Sequence, residues 1–221
     1  MATWWVSQRF ILLKIIILLT IIIQIKAKGT KYVTYSSVIK LMNNHNGARL
    51  HSHDIKYGSG SRQQSVTGTE TKEDNNSHWI VKGPTNKIDT RGKPIKCGDT
   101  IRLEHSVTKK NLHSHRVSSP LSGQQEVSAY GNDDGQGDSG DHWKVICQND
   151  NEYWERQDTV ELYHIDTNVY LSTSGRTYGS PINGQVEIVG SYSKDSQAQW
   201  KVMEGVFIHP TDFKSSFHDE L

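Results

Sequence analysis

Strong charge asymmetry and long apolar runs are both missing from most of this 221-residue chain. Lys and Arg number 25 against 24 Asp and Glu, which gives a formal net charge of +1, and there is no basic run. A nucleic acid, which needs a clustered basic surface, is therefore not an expected partner. After residue 27 no apolar stretch reaches the length of about 20 residues that a spanning helix needs, so we expect no stable membrane insertion of the mature chain.

Catalytic and cofactor-binding motifs are also missing. The sequence contains no G-x-S-x-G, no H-E-x-x-H and no glycine-rich phosphate loop. Ser, His and Asp are plentiful, but without a motif they specify no catalytic triad. We therefore predict that the protein is not an enzyme and has no catalytic residues, cofactor or metal. A hydrolase or transferase activity is the alternative.

Both ends of the chain carry targeting signals. Residues 1–27 combine Arg9, a short apolar stretch and the small residue Ala27, which is the layout of a cleavable secretory signal peptide. An uncleaved anchor is the alternative, because Ile25 is not the small residue favoured two positions before cleavage. The last four residues are His218, Asp219, Glu220 and Leu221. HDEL is a retrieval signal, so we predict residence in the lumen of the endoplasmic reticulum.

Cysteine is scarce, since Cys97 and Cys147 are the only two. In an oxidising lumen an even pair favours a disulfide. Such a bond would close a loop of about 50 residues and add roughly 3–4.5 kcal/mol on chain-entropy arguments. Two free buried thiols are the alternative.

The dominant pattern that is present is a cassette repeated three times. The copies are Leu50–Gly68, Leu112–Tyr130 and, more faintly, Leu171–Val189. Equivalent glutamines lie 61 and 61 residues apart, at Gln63, Gln124 and Gln185. A tryptophan closes each copy, at Trp79, Trp143 and Trp200. Because several independent positions keep near-constant spacing, we interpret the chain as a repeat protein.

Each copy reads as four short strands separated by turns, beginning with the alternation at Tyr32–Leu41. A repeat of this size cannot bury its own apolar face, so three copies must share a core. Twelve strands in three lobes predict an all-β chain with the β-trefoil fold, whose closed six-strand barrel has no exposed edge. Three separate modules are the alternative, but the connections Lys82–Lys96 and Cys147–Tyr153 are too short to favour it.

The predicted organisation has five parts. They are a signal peptide at 1–27, repeats at 30–84, 92–147 and 148–204, and a tail with the retrieval signal at 205–221. Because the first and last strands of a trefoil lobe run side by side, a Cys97–Cys147 bond would clamp the second lobe. The predicted core consists of Leu41, Leu50, Val66, Trp79, Leu103, Leu112, Val127, Trp143, Leu162, Leu171, Ile188 and Trp200.

Histidine pairs are the most suggestive polar feature. They form two H-x-H motifs, made by His51 with His53 and by His113 with His115. Residues i and i+2 of a strand share a face, so such a pair could supply two ligands to zinc. The third copy has serines at these positions, which leaves no threefold ligand set. We interpret the histidines as a solvated strand face and as a candidate partner surface that only copies one and two share.

Two loops carry further candidates. The acidic loop Gly131–Asp141 contains the oxygen ligands that calcium prefers, but its spacing fits no EF-hand, so we predict a mobile polar loop rather than a metal site. Asn75 begins an N-glycosylation sequon, Asn75-Asn76-Ser77, in the polar loop before the first tryptophan of the repeats.

The cassettes LHSHDIKYGSGSRQQSVTG and LHSHRVSSPLSGQQEVSAYG resemble the MIR repeat of protein O-mannosyltransferases and of inositol trisphosphate and ryanodine receptors. The resemblance is strongest to the stromal cell-derived factor 2 family. It runs from about Val33 to Met203 and includes RGKPIKCG at Arg91–Gly98 and MEGVF at Met203–Phe207. The family also has cysteines near the positions of Tyr35 and Asp89, which this chain lacks.

The resemblance implies a β-trefoil without enzymatic activity. It further implies an accessory subunit of a complex between a lumenal J-domain co-chaperone and a BiP-type chaperone, which keeps misfolded secretory clients soluble. A lectin-like role is the alternative, in which Tyr57, Tyr130 and Tyr178 near the turns would stack on sugar rings. Packing at the edge of the core is the competing role for these three tyrosines.

Overall fold

The computed structural model describes residue 14 and residues 30–85, 87, 91–132 and 137–209. The chain divides into two compact units, Met1–Thr30 and Lys31–Leu221. All elements described below belong to the second unit. The predicted signal peptide apart from residue 14, the retrieval signal, and the residues Asp133 and Asp134 of the acidic loop lie outside the described residues.

Twelve β-strands are present in the described part of the second unit, four in each of three successive lobes. Lobe one contains β1 Val38–Asn43, β2 Arg49–Lys56, β3 Gln64–Thr69 and β4 Trp79–Lys82. Lobe two contains β5 Thr100–His105, β6 Asn111–Ser118, β7 Gln125–Tyr130 and β8 Trp143–Cys147. Lobe three contains β9 Thr159–His164, β10 Val169–Thr177, β11 Val186–Ser191 and β12 Trp200–Val206. A 3₁₀ turn precedes the last strand of each lobe, at Asn75–Ser77, Ser139–Asp141 and Ser196–Ala198.

The pairing of the strands is that of a β-trefoil. The first and last strands of the lobes form a closed antiparallel ring in the order β1, β4, β5, β8, β9, β12 and back to β1. The middle strands form three hairpins, and β3, β7 and β11 also pair with one another to form the cap. The predicted fold is therefore confirmed, and the lobes are not separate modules.

The first strand begins later than the alternation of Tyr32–Leu41 predicts. Ser36 adopts a φ of 67°, and the amide of Ser37 donates to the carbonyl of Thr34 at 3.1 Å. This turn interrupts the extended backbone, so that β1 starts only at Val38.

The core contains all twelve side chains predicted from the repeat spacing, and each is at most 1% exposed. The three repeat tryptophans also satisfy their only polar atom in the same way. The indole N–H of Trp79 donates to the carbonyl of Leu50 at 2.9 Å, and the equivalent bonds of the other lobes measure 2.9 and 2.8 Å. These bonds are expected, because a buried N–H without a partner is costly. Each of them also links the last strand of its lobe to the second strand.

The end of the barrel opposite the cap is closed by a set of residues that the repeat analysis misses. Val33, Ile95 and Trp154 are fully buried. Their backbones form a ring of hydrogen bonds, in which Val33 donates to Trp154, Trp154 to Ile95 and Ile95 to Val33, at 2.9, 2.9 and 3.0 Å. These residues lie outside the regular strands, and only the closed barrel brings them together.

A disulfide joins Cys97 to Cys147 across lobe two, as predicted. Cys97 lies just before β5 and Cys147 ends β8, and these two strands pair through Thr100 with Lys144. The bond therefore connects the two ends of one lobe.

Candidate functional site

The four histidines of the H-x-H motifs lie at equivalent places in lobes one and two, on β2 and β6. The inner histidine of each pair is buried, with exposures of 4% for His51 and 6% for His113. The outer residues, His53 and His115, are half-buried. The prediction of a solvated strand face is thus wrong for His51 and His113, because each is covered by the 3₁₀ turn of its own lobe.

The cluster in lobe one is a chain of three groups. His51 Nδ1 lies 2.7 Å from Asp74 Oδ2, and His51 Nε2 lies 2.6 Å from His53 Nδ1. Asp74 is held in place because it caps the 3₁₀ turn, accepting from the amide of Asn76 and the hydroxyl of Ser77. With both histidines neutral, His51 donates to Asp74 and His53 donates to His51. The buried Nε2 of His53 then has no partner among the described residues.

The protonation of this chain follows from its surroundings. Burial would raise the pKa of Asp74, but the hydroxyl of Ser77 and the imidazole of His51 outweigh it, so the pKa is lowered. Burial, followed by the neighbouring His51, lowers the pKa of His53. Asp74 is therefore a carboxylate at neutral pH and His53 is uncharged.

Lobe two uses a different carboxylate for its inner histidine. His113 Nδ1 donates to Asp141 Oδ1 at 3.0 Å, and the carboxylate of Asp138 lies 3.5 Å away. The two aspartates are fixed by a capping box around the 3₁₀ turn. The outer His115 donates from Nε2 to the fully buried Glu126 at 3.0 Å. Every polar contact of this cluster thus has a structural explanation within the lobe.

His113, Asp138 and Asp141 could hold a metal ion, since their ligand atoms all lie within 4.8 Å of one another. The set is not the predicted H-x-H pair, because His115 belongs to a separate contact with Glu126. In the described residues these three groups already pair with each other and with the backbone, which accounts for their positions without an ion.

A cleft of about 440 Å³ opens beside this cluster, and we call it the lobe-two cleft. It is lined by His113, Ser114, His115, Arg116, Asp138, Ser139, Gly140, Asp166 and Thr167. Lobe three supplies only Asp166 and Thr167, from the turn between β9 and β10. The lining offers donors and acceptors of both charges, which suits a polar ligand rich in hydroxyl or amide groups.

Lobe three has no comparable cluster among its described residues. Ser172 and Ser174 occupy the histidine positions, and the capping Asp195 bonds only the amide of Gln197 in its turn. The histidine surface is thus confined to two lobes.

The three tyrosines considered for sugar stacking differ in accessibility. Tyr57 is 5% exposed and its hydroxyl lies within hydrogen-bond distance of the carbonyls of Val66 and Val127, so its ring belongs to the core. Burial, then the nearby Tyr178, raises the pKa of Tyr57 well above its usual range. Tyr178 is half-buried, whereas Tyr130 is 43% exposed and remains able to contact a ligand.

Asn75, the sequon residue, is exposed at the start of the first 3₁₀ turn. Asp138 and Asp141, the described aspartates of the acidic loop, cap the second 3₁₀ turn.

Two further buried histidines, His105 and His164, are not predicted from the sequence. His105 Nε2 lies 2.9 Å from the carbonyl of Asn76, and His164 Nε2 lies 2.8 Å from that of Gly140. Each joins the end of a barrel strand to the 3₁₀ turn of the preceding lobe. Their spacing of 59 residues matches that of the predicted core leucines Leu103 and Leu162, which is the signal that could have revealed them.

No helix among the described residues is long and apolar enough to cross a membrane. The MIR domain family model matches residues 27–196. Stromal cell-derived factor 2-like protein 1 from Homo sapiens is 51% identical over 193 residues, which cover 87% of this chain and 86% of that protein.

Two solved structures are also similar. The crystal structure of the SDF2-like protein from Arabidopsis thaliana has a TM-score of 0.78 and 45% identity, covering 80% of this chain and 98% of that one. The S. cerevisiae protein O-mannosyltransferase Pmt1-Pmt2 complex bound to the sugar donor has a TM-score of 0.72 and 28% identity. That match covers 81% of this chain but 27% of the transferase chain.

Proposed function

Because the chain belongs to the stromal cell-derived factor 2 family of MIR-domain proteins, we propose that it is a non-catalytic protein of the endoplasmic reticulum lumen that acts in protein folding and quality control. In this role it is the accessory subunit of a complex between a J-domain co-chaperone and a BiP-type chaperone. The complex keeps misfolded secretory clients soluble.

The observation that carries this proposal is the extent of the family match. It covers 87% of this chain and 86% of the human relative, and the family model matches residues 27–196, which include the first eleven strands of the trefoil. A function common to both proteins therefore rests on the surface of the trefoil. The lumenal location is supported by the predicted signal peptide and by HDEL.

The histidine surface is our candidate docking face. His53 and His115 are its half-buried members. His53 hydrogen-bonds the buried His51 at 2.6 Å, and His115 packs against the buried His113 with ring centroids 5.2 Å apart. A partner that docks here would contact equivalent positions of two lobes and not the third.

Affinity capture of the full chain from lumenal extract tests the proposal. We expect to recover a J-domain protein together with the BiP-type chaperone, and recovery of neither would count against the role. The variant His53→Ala/His115→Ala tests the docking face. Because it also removes the contacts of these histidines with the buried His51 and Glu126, thermal unfolding verifies that the variant is folded. Tyr192→Ala, at a position that is 78% exposed in lobe three, is the matched control. Unchanged recovery with the histidine variant would exclude this face.

Saccharide binding is a second candidate, favoured by the lobe-two cleft. Its carboxylates, hydroxyls and Arg116 present the mixed donors and acceptors that sugars need. A glycan array with the full chain is the test. Signal that disappears in His115→Ala/Arg116→Ala would support binding in this cleft, and an array without signal would contradict it.

A further inference from the structure

A second pocket lies where lobe one meets lobe two, and we call it the basic pocket. It has a volume of about 210 Å³ and lies beside the pairing of β3 with β7. Its polar and aromatic lining consists of Lys56, Arg62, Gln63, Gln64, Lys110 and Tyr130. None of these residues belongs to the histidine clusters or to the lobe-two cleft.

All the formal charges of the lining are positive. Lys56 comes from the end of β2, Arg62 from the turn that follows, and Lys110 from the loop before β6. None of the three side chains forms an ion pair or hydrogen bond with any residue in the described parts of the chain. Three cations from separate segments therefore converge on one pocket whose described lining contains no carboxylate, which favours an anionic ligand.

Gln64, which also lines the pocket, has an unsatisfied buried acceptor. Its side chain is 1% exposed, and its Nε2 donates to the hydroxyls of Ser52 and Thr108 at 2.8 and 2.9 Å. The buried Oε1 has no partner among the described residues. If the oxygen and nitrogen of the amide were exchanged, the nitrogen would lack a hydrogen-bond partner instead. A buried carbonyl oxygen of this kind requires a donor, and a ligand hydroxyl can supply one.

The repeated fold shows that these cations are not needed for packing. At the junction of lobes two and three the equivalent positions are Ser118, Gly123 and Val169. Gln125 nevertheless repeats the amide contacts, with Nε2 2.7 Å from Ser114 Oγ. The glutamine is therefore a structural feature of the junction, and the three cations are an addition specific to the first junction.

We propose that the basic pocket binds a phosphorylated monosaccharide. The phosphate oxygens accept from Lys56, Arg62 and Lys110, and a sugar hydroxyl donates to Gln64 Oε1. The exposed ring of Tyr130 packs against the apolar face of the sugar. This binding is independent of the chaperone role and of the lobe-two cleft.

Calorimetric titration of the full chain, purified from the secretory pathway of an expression host, tests the proposal. The probes are glucose 6-phosphate, glucose, inorganic phosphate and a hexaglutamate peptide. We expect glucose 6-phosphate to bind at least tenfold more tightly than any of the other three. Equal affinity for inorganic phosphate, tighter binding of the peptide, or no binding of glucose 6-phosphate would overturn the proposal.

Variants locate the site. Lys56→Gln/Lys110→Gln should weaken glucose 6-phosphate binding at least tenfold, whereas Lys109→Asn, which changes an exposed lysine outside the pocket, should leave it unchanged. Thermal unfolding verifies that both variants are folded, and equal binding by both would overturn the assignment. Gln64→Glu is a second probe, because a carboxylate facing the pocket should also weaken binding of the phosphate ester.

Phosphorylated sugars also occur as lipid headgroups, so one arm uses vesicles. Co-sedimentation with phosphatidylcholine vesicles containing phosphatidylinositol 4-phosphate is compared with the free ester. Binding to both, with loss of both in Lys56→Gln/Lys110→Gln, supports recognition of the shared polyol phosphate. Binding to vesicles alone would overturn the proposal, since a charged membrane surface would then suffice.

Discussion

At the scale of single residues, buried polar side chains join neighbouring lobes. His105 and His164 each bond a backbone carbonyl of the preceding lobe, at 2.9 and 2.8 Å. Asn43 holds the equivalent place in lobe one, and its Nδ2 donates to the carbonyl of Gln197 at 2.7 Å. Burial lowers the pKa of His105 to about 4 and also lowers that of His164. Both histidines are therefore neutral donors in the folded protein at neutral pH.

This burial predicts a stability that decreases on acidification. The unfolded chain takes up a proton at His105 near the ordinary pKa of 6.5, whereas the folded chain does so only near 4. Between these values the unfolded state binds more protons, so stability falls as pH falls and is unaffected above this window. The contribution of His105 is at most about 3 kcal/mol.

The variant His105→Asn, which copies the native Asn43, should reduce this pH dependence. Urea unfolding at pH 7 and pH 4.5 measures the free energy of unfolding of the wild type and of the variant. Each protein loses stability between the two pH values, and the carboxylates contribute equally to both losses. The difference between the two losses is therefore the contribution of His105. The same loss in both proteins would contradict the prediction.

Asn75 permits a second prediction at this scale. Its side chain is exposed, whereas Ser77 of the same sequon is fully buried and bonds Asp74 at 2.5 Å. Because the folded chain hides the sequon hydroxyl, we expect glycosylation before the lobe folds. Endoglycosidase treatment should increase the electrophoretic mobility of the wild type and leave Asn75→Gln unchanged. A wild-type band that does not shift would show that the site is not used.

At the scale of elements, each lobe joins its first strand to its last, but only lobe two adds a covalent bond between them. The pairs β1 with β4 and β9 with β12 form without a disulfide. The Cys97–Cys147 bond is therefore not required for this pairing, and its main effect is to restrict the unfolded chain.

We expect Cys97→Ser/Cys147→Ser to retain the trefoil and to lose roughly 3–4 kcal/mol of unfolding free energy. Urea titration followed by tryptophan fluorescence measures this loss, and far-ultraviolet circular dichroism checks the fold. A loss below about 1 kcal/mol would mean that the unfolded state is already compact without the bond. Collapse of the spectrum would instead give the bond an essential structural role.

Carboxylates on the cap strands fix the hairpin turns of neighbouring lobes. Glu126 accepts from the hydroxyl of Ser61, and Glu187 accepts from the amide of Leu121 at 2.7 Å. Both glutamates are fully buried, so each turn is held by the lobe that follows it. The turn that carries Arg62 is thereby positioned over the basic pocket.

At the scale of the whole molecule, the proposed role requires retention in the lumen. Two glycines appended after Leu221 should mask the retrieval signal, because its receptor reads a free HDEL terminus. We expect the masked protein to appear in the medium of expressing cells while the unmodified chain stays inside. Immunoblots of medium and cells measure the distribution, and equal retention of the two forms would argue against retrieval through HDEL.

The repeat spacing was sufficient to predict the architecture. Apolar residues that recur at 57 to 64 residues identified twelve core positions, and all of them are buried. The prediction succeeded because a lobe too small to bury its own apolar face must share a core with its copies. The disulfide was predicted because the only two cysteines form an even pair in an oxidising lumen and because Cys97 and Cys147 flank one copy.

Contacts between lobes were decided only by the tertiary structure. Closure of the barrel brings together residues about 60 positions apart, such as Val33 with Ile95. Their spacing of 62 residues equals that of Leu41 and Leu103, but the spacing alone does not show that their backbones hydrogen-bond. The same closure gathers Lys56, Arg62 and Lys110 at one junction. The histidines of the H-x-H motifs depend on both the sequence and the tertiary structure. Their recurrence in two lobes is visible in the sequence, but whether each is buried depends on the 3₁₀ turn that packs over it.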